Sequence, residues 1–142
     1  MIELAKREDL PEVRALLQRV SLPLEGVDEH VATMLVAKAD GHVVGTVALE
    51  LYADGALLRS VAVHPRCQGE RLGHELTESG LRLAAQHGAG TVFLLTTTAE
   101  RFFPKFGFER IARDAVPSSV QASVQFQSSC PATATVMRKQ LR

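Results

Sequence analysis

The chain has 142 residues, 46% of them apolar and 23% charged, with Lys plus Arg and Asp plus Glu at 16 each and a formal net charge of zero. That length suits one compact domain able to bury its own core, so a single domain over residues 1–142 is expected. Balanced charge removes the field that would gather nucleic acid, and no apolar run is long enough to span a bilayer, so neither nucleic-acid nor membrane partners are expected.

The opening residues Met1-Ile2-Glu3-Leu4-Ala5 lack the basic stretch and apolar segment of a secretory leader, which predicts a cytoplasmic, reducing setting. Cys67 and Cys130 are then expected as free thiols without zinc spacing. His64 reads as a loop histidine, and His30, His42, His74 and His87 are scattered without metal-ligand spacing, so no metal is expected.

Leu10, Val13, Leu16, Leu17 and Val20 recur at helical spacing, with Asp9 as N-cap and Pro11 in the first turn, and predict a first helix. Pro23 and Gly26 break the pattern over residues 21–26, a loop placed to face a substrate, and residues 27–31 suit a short helical turn. Residues 34–37, 43–51 and 56–63 read as successive antiparallel strands joined at Asp40-Gly41 and Asp54-Gly55, dipeptides that favour tight hairpin turns. Leu72, Leu76, Leu83 and Ala84 outline a second long helix ending near Gly88 and Gly90. A strand over 91–96, a helix-length segment over 100–106 and a strand over 108–111 follow. Residues 117–126 suit a further helix, and 132–137 alternate as an edge or hairpin strand would.

The segment 60–73 runs from a strand, through a loop holding Gly69, into a helix N-terminus. Unpaired N–H groups in a first helical turn, the helix dipole and small residues together hold phosphates, and Arg66 and Arg71 add charge-assisted contacts. No Lys followed by Ser or Thr comes after the last glycine, and no Gly-x-Gly-x-x-Gly is present. A triphosphate P-loop and a dinucleotide fingerprint are both excluded. By itself the loop is equally well a tight strand-to-helix connection.

Gln68-Gly69-Glu70-Arg71-Leu72-Gly73 resembles the Arg/Gln-x-x-Gly-x-Gly/Ala motif of the GNAT superfamily of N-acetyltransferases, with Arg71 in place of the middle glycine. A positive φ there would strain the turn. The stretch from Ala99 to Phe108 is similar to the family's Ala-x-x-x-Tyr-x-x-x-Gly-Phe, and the likeness extends over the order of elements in nearly the whole chain. The resemblance implies an α/β (α+β) GNAT fold, a mixed central sheet with flanking helices that splays between its fourth and fifth strands, here 56–63 and 91–96. It implies acetyl-CoA as co-substrate. Its pantetheine would pair with the backbone of Val61, Ala62 and Val63, and its pyrophosphate would lie on the N–H groups of Gln68, Gly69, Glu70, Arg71, Leu72, Gly73 and His74. Phe103 stands where the family carries the Tyr that protonates the departing thiolate.

Phe103 has no proton to give, so Tyr52, the single tyrosine, is a substitute acid beside water or the product ammonium. Glu50 and Glu100 are candidates to accept the amine proton, against the plainer readings of a solvated strand face and a helix-terminal charge. Arg59 sits in the apolar run Leu57-Leu58-Arg59-Ser60-Val61, where it either projects to solvent or clamps an acceptor carboxylate. Ser60, Thr96, Thr97 and Thr98 are further acceptor-side candidates, as is Cys130 before Pro131.

The stretches Leu22-Pro23-Leu24-Glu25-Gly26, Leu94-Leu95-Thr96-Thr97-Thr98-Ala99-Glu100 and the tail around Phe126 and Cys130-Pro131 are similar to GNAT proteins associated with bacterial arsenic-resistance operons. These are kin of phosphinothricin and arsinothricin acetyltransferases, which acylate the α-amino group of glutamate-like compounds. The resemblance implies a small amine acceptor with an acidic group met by Arg59. An ordinary amino acid such as glutamate, or a non-catalytic acetyl-CoA-binding module, remain as alternatives. A homodimer through the final strand is also left open.

Overall fold

The computed structural model describes residues 2–68, 71–123, 126 and 134–141. Strands β1 (Ile2–Leu4), β2 (Met34–Ala39), β3 (His42–Tyr52) and β4 (Gly55–Val63) follow one another antiparallel. After helix α2 (Leu72–Gln86), β5 (Thr91–Thr96) returns parallel to β4. Strand β7 (Thr135–Gln140) lies antiparallel to β5 and carries the short β6 (Glu109–Arg110), giving the order β1-β2-β3-β4-β5-β7-β6. A right-handed crossover through a helix is what a parallel pair requires, and only β4 and β5 are joined that way.

Period-2 alternation assigns the two faces. Leu35, Ala37, Val47, Leu49, Ala56, Leu58, Val92 and Leu94 meet Leu76 and Ala84 of α2. Met34, Val36, Ala48 and Ala62 meet Leu10, Val13, Leu16 and Leu17 of helix α1 (Leu10–Arg19). On that second side, Val120 of α3 (Ser118–Gln121) joins Leu57, Phe93, Val116 and Val136. Each such buried aliphatic side chain contributes roughly 1.5–3 kcal/mol, which is the main term holding the layers together. Gly80 lets α2 settle on the sheet, since a Cβ there would lie 2.9 Å from Val47 Cγ2.

Several sequence expectations are corrected. Asp9 holds the N-cap position of α1, but its side chain bonds none of the first-turn N–H groups there. It closes a 3-10 turn (Arg7–Asp9), and its carboxylate accepts the Lys6 N–H at 2.9 Å. The first hairpin forms as expected, with Asp40 at φ 52 and Gly41 at φ 80, the left-handed pair of a type I′ turn. The second turns at Ala53 and Asp54, because Gly55 already pairs with Tyr52 and starts β4. A Cβ at Gly55 would lie 2.9 Å from both the Phe93 ring and the Thr91 carbonyl oxygen, so close approach to β5 explains that glycine.

The segment 100–106 makes only a 3-10 turn (Phe103–Phe106), with Pro104 inside it. Within 117–126 the α-helix covers only Ser118–Gln121 among the described residues, with Phe126 in a π-helical conformation. Among the described residues the final strand is Thr135–Gln140, residues 132–133 lying outside them, and it is not the sheet edge, since β6 pairs on its outer side at Arg138 and Met137. Strand β1 was not anticipated: three residues are too few to display a period, and its pairing with Leu35, Val36 and Ala37 supplies the signal instead.

Asp9 carries one testable consequence. It is buried, bonds Lys38 Nζ at 3.0 Å, and its carboxyl is held below the usual range first by the Lys6 N–H and then, against burial, by Lys38. A depressed carboxyl pKa contributes stability above the unfolded value and loses it as pH falls through the folded one. Asp9→Asn is therefore expected to cost about 1–2 kcal/mol at neutral pH and to flatten the acid limb of a urea-stability profile.

Candidate active site

Among the described residues β4 and β5 share two register pairs, Ala56↔Val92 and Leu57↔Phe93, and then part. Their C-terminal halves enclose a cavity of about 1100 Å³. Strand β4 is bent at this point by one extra residue. Ala48 faces Arg59 and Thr46 faces Ala62, leaving Val47 opposite both Ser60 and Val61. Ser60 sits at φ 58, with its carbonyl accepting the Thr46 hydroxyl at 2.6 Å. The bulge reverses the strand's alternation. Val61 and Val63 line the cavity and pack toward α2, whereas Ala62 points to the α1 side and does not line it.

At one end of the gap stands the N-terminus of α2. Arg71 occupies the N-cap position at φ 64, so the strained left-handed turn foreseen for a non-glycine residue is present. No side chain of that cap bonds the first-turn N–H groups, the condition under which such groups can take an anion. Gln68, Arg71, Gly73 and His74 line the cavity and Leu72 does not. The Gln68 side chain donates to the Val63 carbonyl at 3.2 Å, folding the loop back on the strand. Gly69 and Glu70 lie outside the described residues.

The opposite wall comes from β5 and the turn beyond it. Thr96, Thr97 and Thr98 line the cavity, and Thr96 Oγ1 accepts the Ala99 N–H at 2.9 Å, which fixes the turn. Phe103 is buried and lines the cavity too, packed edge-on to Phe102 and Phe108 at centroid distances of 5.1 and 5.8 Å. Phe102 and Lys105 line it beside Phe103 and were missed, although both flank the motif residue within one turn. Ser21, Leu22 and Pro23 close the third side, as the loop reading anticipated. Arg71 and Lys105 contribute positive charge, that of Arg59 being balanced by Glu50 behind the wall, and no Asp or Glu lies among the described lining residues.

Arg59 neither projects to solvent nor stands free to clamp a ligand. Its guanidinium is buried, with Nη1 2.7 Å from Glu50 Oε2, Nε 3.3 Å from Ser60 Oγ and Nη2 3.5 Å from the Pro23 carbonyl oxygen. Glu50 is correspondingly buried and absent from the cavity wall, and it also accepts the Tyr52 hydroxyl and lies 3.5 Å from His30 Nε2. It is a counter-ion, not an exposed base, because its register opposite Leu57 turns it to the Arg59 side of the sheet. Tyr52 does not line the cavity, and burial, then the Glu50 bond, push its phenol above the ordinary value, so it is not poised to release a proton there. Glu100 is exposed in a turn and does not line the cavity. Cys67 is a free thiol on the cavity wall, and Cys130 falls outside the described residues. No group of His, Cys, Asp or Glu among the described residues could hold a metal.

These features define a mixed α+β domain whose binding cavity is the gap between two parted parallel strands, closed at one end by a helix N-terminus. The family model for the acetyltransferase (GNAT) domain matches residues 30–110, and the chain belongs to that family. An amino-acid acetyltransferase of Mycobacterium tuberculosis is 37% identical over 81 residues, covering 56% of this chain and 46% of the relative. One from Neisseria meningitidis serogroup A is 24% identical over 127 residues, covering 83% of this chain. The chain spans 29% of that relative's length.

Among solved structures, N-acetylglutamate synthase of Neisseria gonorrhoeae, complexed with coenzyme A and N-acetyl-glutamate, superposes with a TM-score of 0.86 at 22% identity, covering 100% of this chain and 35% of that one. Rv2747 of Mycobacterium tuberculosis, in a complex containing CoA, gives 0.81 at 24% identity and covers 100% and 99%. Both share the splayed-sheet GNAT fold with this chain.

Proposed function

We propose that the chain is an acetyl-CoA-dependent N-acetyltransferase acting on the amino group of a small acidic amino-acid-like acceptor. The observation that carries this is the cavity between β4 and β5, whose described lining includes Arg71 and Lys105 and no Asp or Glu. Arg71, Lys105 and the α2 N-terminus suit the phosphates of CoA. Val61 and Val63 lie along the gap, where pantetheine would add as a short strand. The amino-acid acetyltransferase relatives and the neighbour bound to N-acetyl-glutamate support an acceptor bearing a carboxylate.

In this reading the neutral amine attacks the thioester carbonyl carbon, the tetrahedral adduct expels the thiolate as the C–S bond breaks, and the proton on the attacking nitrogen passes to the thiolate or to water, leaving the amide. The α-amine of a free amino acid is largely protonated at neutral pH, as a Lys amine is, so it must lose a proton before it attacks. Phe103 supplies packing, not a proton.

Among acidic acceptors, phosphinothricin and arsinothricin are the finer proposal, as implied by the arsenic-resistance resemblance, with glutamate as the ordinary alternative. Free-CoA release measured with acetyl-CoA and each of the three is expected to be acceptor-dependent. Tight acetyl-CoA binding with no release on any of them would favour a non-catalytic binding module and overturn the proposal.

A further inference from the structure

We propose that the buried Glu50–Arg59 pair is a positioning device for acyl transfer: it ties the β4 bulge at Ser60 and the cavity-lining loop at Pro23 into one rigid unit, and so sets where the acyl group and the acceptor amine meet. This rests on the acetyltransferase reading above.

Arg59 directly precedes the extra residue of the bulge, and its guanidinium reaches three separate parts of the chain. Nη1 bonds Glu50 on β3 at 2.7 Å, Nε bonds Ser60 Oγ at 3.3 Å, and Nη2 points to the Pro23 carbonyl at 3.5 Å. Ser60 and Pro23 both line the cavity. Glu50 is fixed in turn by the Tyr52 hydroxyl and by His30 Nε2 at 3.5 Å, so the anchor is braced from β3 and from the 3-10 turn at Asp28–Thr33.

The two side chains are 0% and 1% exposed. A buried ion pair contributes little stability beyond what an apolar pair of equal volume would give, so packing alone does not account for it. Ser60 meanwhile holds a left-handed φ of 58°, which a serine does not favour and its surroundings must impose. The planar fork of Arg matches three partners at once, and a Lys ammonium in its place would keep Glu50 and lose the other two.

The test compares the parent with Glu50→Leu/Arg59→Met, Arg59→Lys and Ser60→Ala, reading melting temperature, acetyl-CoA Kd, kcat and acceptor KM. The double variant is expected to fold and to bind acetyl-CoA like the parent, with kcat lower by about 10- to 100-fold, the size of loss that misplaced reacting groups produce. Arg59→Lys is expected to lose kcat similarly and not to rescue.

A double variant that folds and turns over at the parent rate overturns the proposal, as does full activity in Arg59→Lys. Should the double variant fail to fold, Ser60→Ala, which leaves the ion pair intact, decides the matter: a lower kcat with unchanged melting supports the device, and unchanged kcat overturns it. Backbone amide resonances of Ser60 and Val61 separate this inference from the functional one. Were the parent inactive on every acceptor, the acetyltransferase reading alone would fail, and unmoved amide resonances in Arg59→Lys would overturn the positioning device independently.

Discussion

Gly73→Val is expected to weaken acetyl-CoA binding by about 10- to 100-fold, equivalent to losing one or two backbone contacts to a charged group, while the domain stays folded. An ideal Cβ at Gly73 would meet Val63 Cγ2 at 3.6 Å and Phe102 Cζ at 3.7 Å, which is ordinary contact. The fold alone therefore does not demand glycine at this first-turn position of α2. A glycine in a helix costs roughly 0.5–1 kcal/mol relative to alanine. Gly73→Ala should accordingly raise the stability of the free protein by up to about that amount and still lower its affinity for CoA, because the methyl group occupies the approach to the helix N–H groups. Thermal melting with and without ligand, together with titration calorimetry, reads both signs. Unchanged affinity in both variants would remove the α2 N-terminus from the binding site.

Glu50→Leu alone is expected to cost about 3–5 kcal/mol, the penalty of leaving a buried guanidinium without its counter-ion. Arg59 keeps only Ser60 and Pro23 as partners in that variant, at 3.3 and 3.5 Å, and both are neutral. Adding Arg59→Met to the same chain should restore most of the loss, since two apolar side chains of similar volume replace two desolvated charges. Urea unfolding of both singles and the double closes the cycle. A Glu50→Leu variant as stable as the parent would mean that the pair is solvated in solution. Tyr52 adds an alkaline signature. Its raised pKa contributes stability that is whole below the unfolded value of about 10 and is lost as pH climbs through the folded one.

The segment proposed for the donor is legible in the sequence because it depends on local backbone demands. Gln68, Gly73 and the helix after them follow one another within a few residues, and anion capture at a helix N-terminus asks for small residues and free N–H groups in that order. The family motif, whose middle glycine Arg71 replaces, raised the condition of a positive φ that Arg71 meets at φ 64. The hairpin at Asp40-Gly41 likewise follows from two residues that tolerate positive φ.

The acceptor side was not readable in the same way. Glu50 and Arg59 were noticed separately, one as a base and the other as a clamp, although they neutralise each other. Their meeting depends on the β3–β4 register, and that register contains an extra residue at Ser60 which no feature of Leu58-Arg59-Ser60-Val61 announces. One inserted residue changes which side chains face the cavity, so Val61 and Val63 enter it and Ala62 does not. Phe102 and Lys105 were overlooked because the turn around Pro104 is 3-10, not α, and presents neighbours that a helical count would turn away.

By itself, then, the sequence determined the family, the order of most elements and the segment proposed to take the phosphates. These rest on contiguous residues whose backbone conformations are set by their neighbours. The tertiary structure alone decided which charges are paired, which strand residues reach the cavity and how β4 parts from β5. Those outcomes belong to contacts between residues distant in the chain, whose energies exist only once the sheet has closed around them.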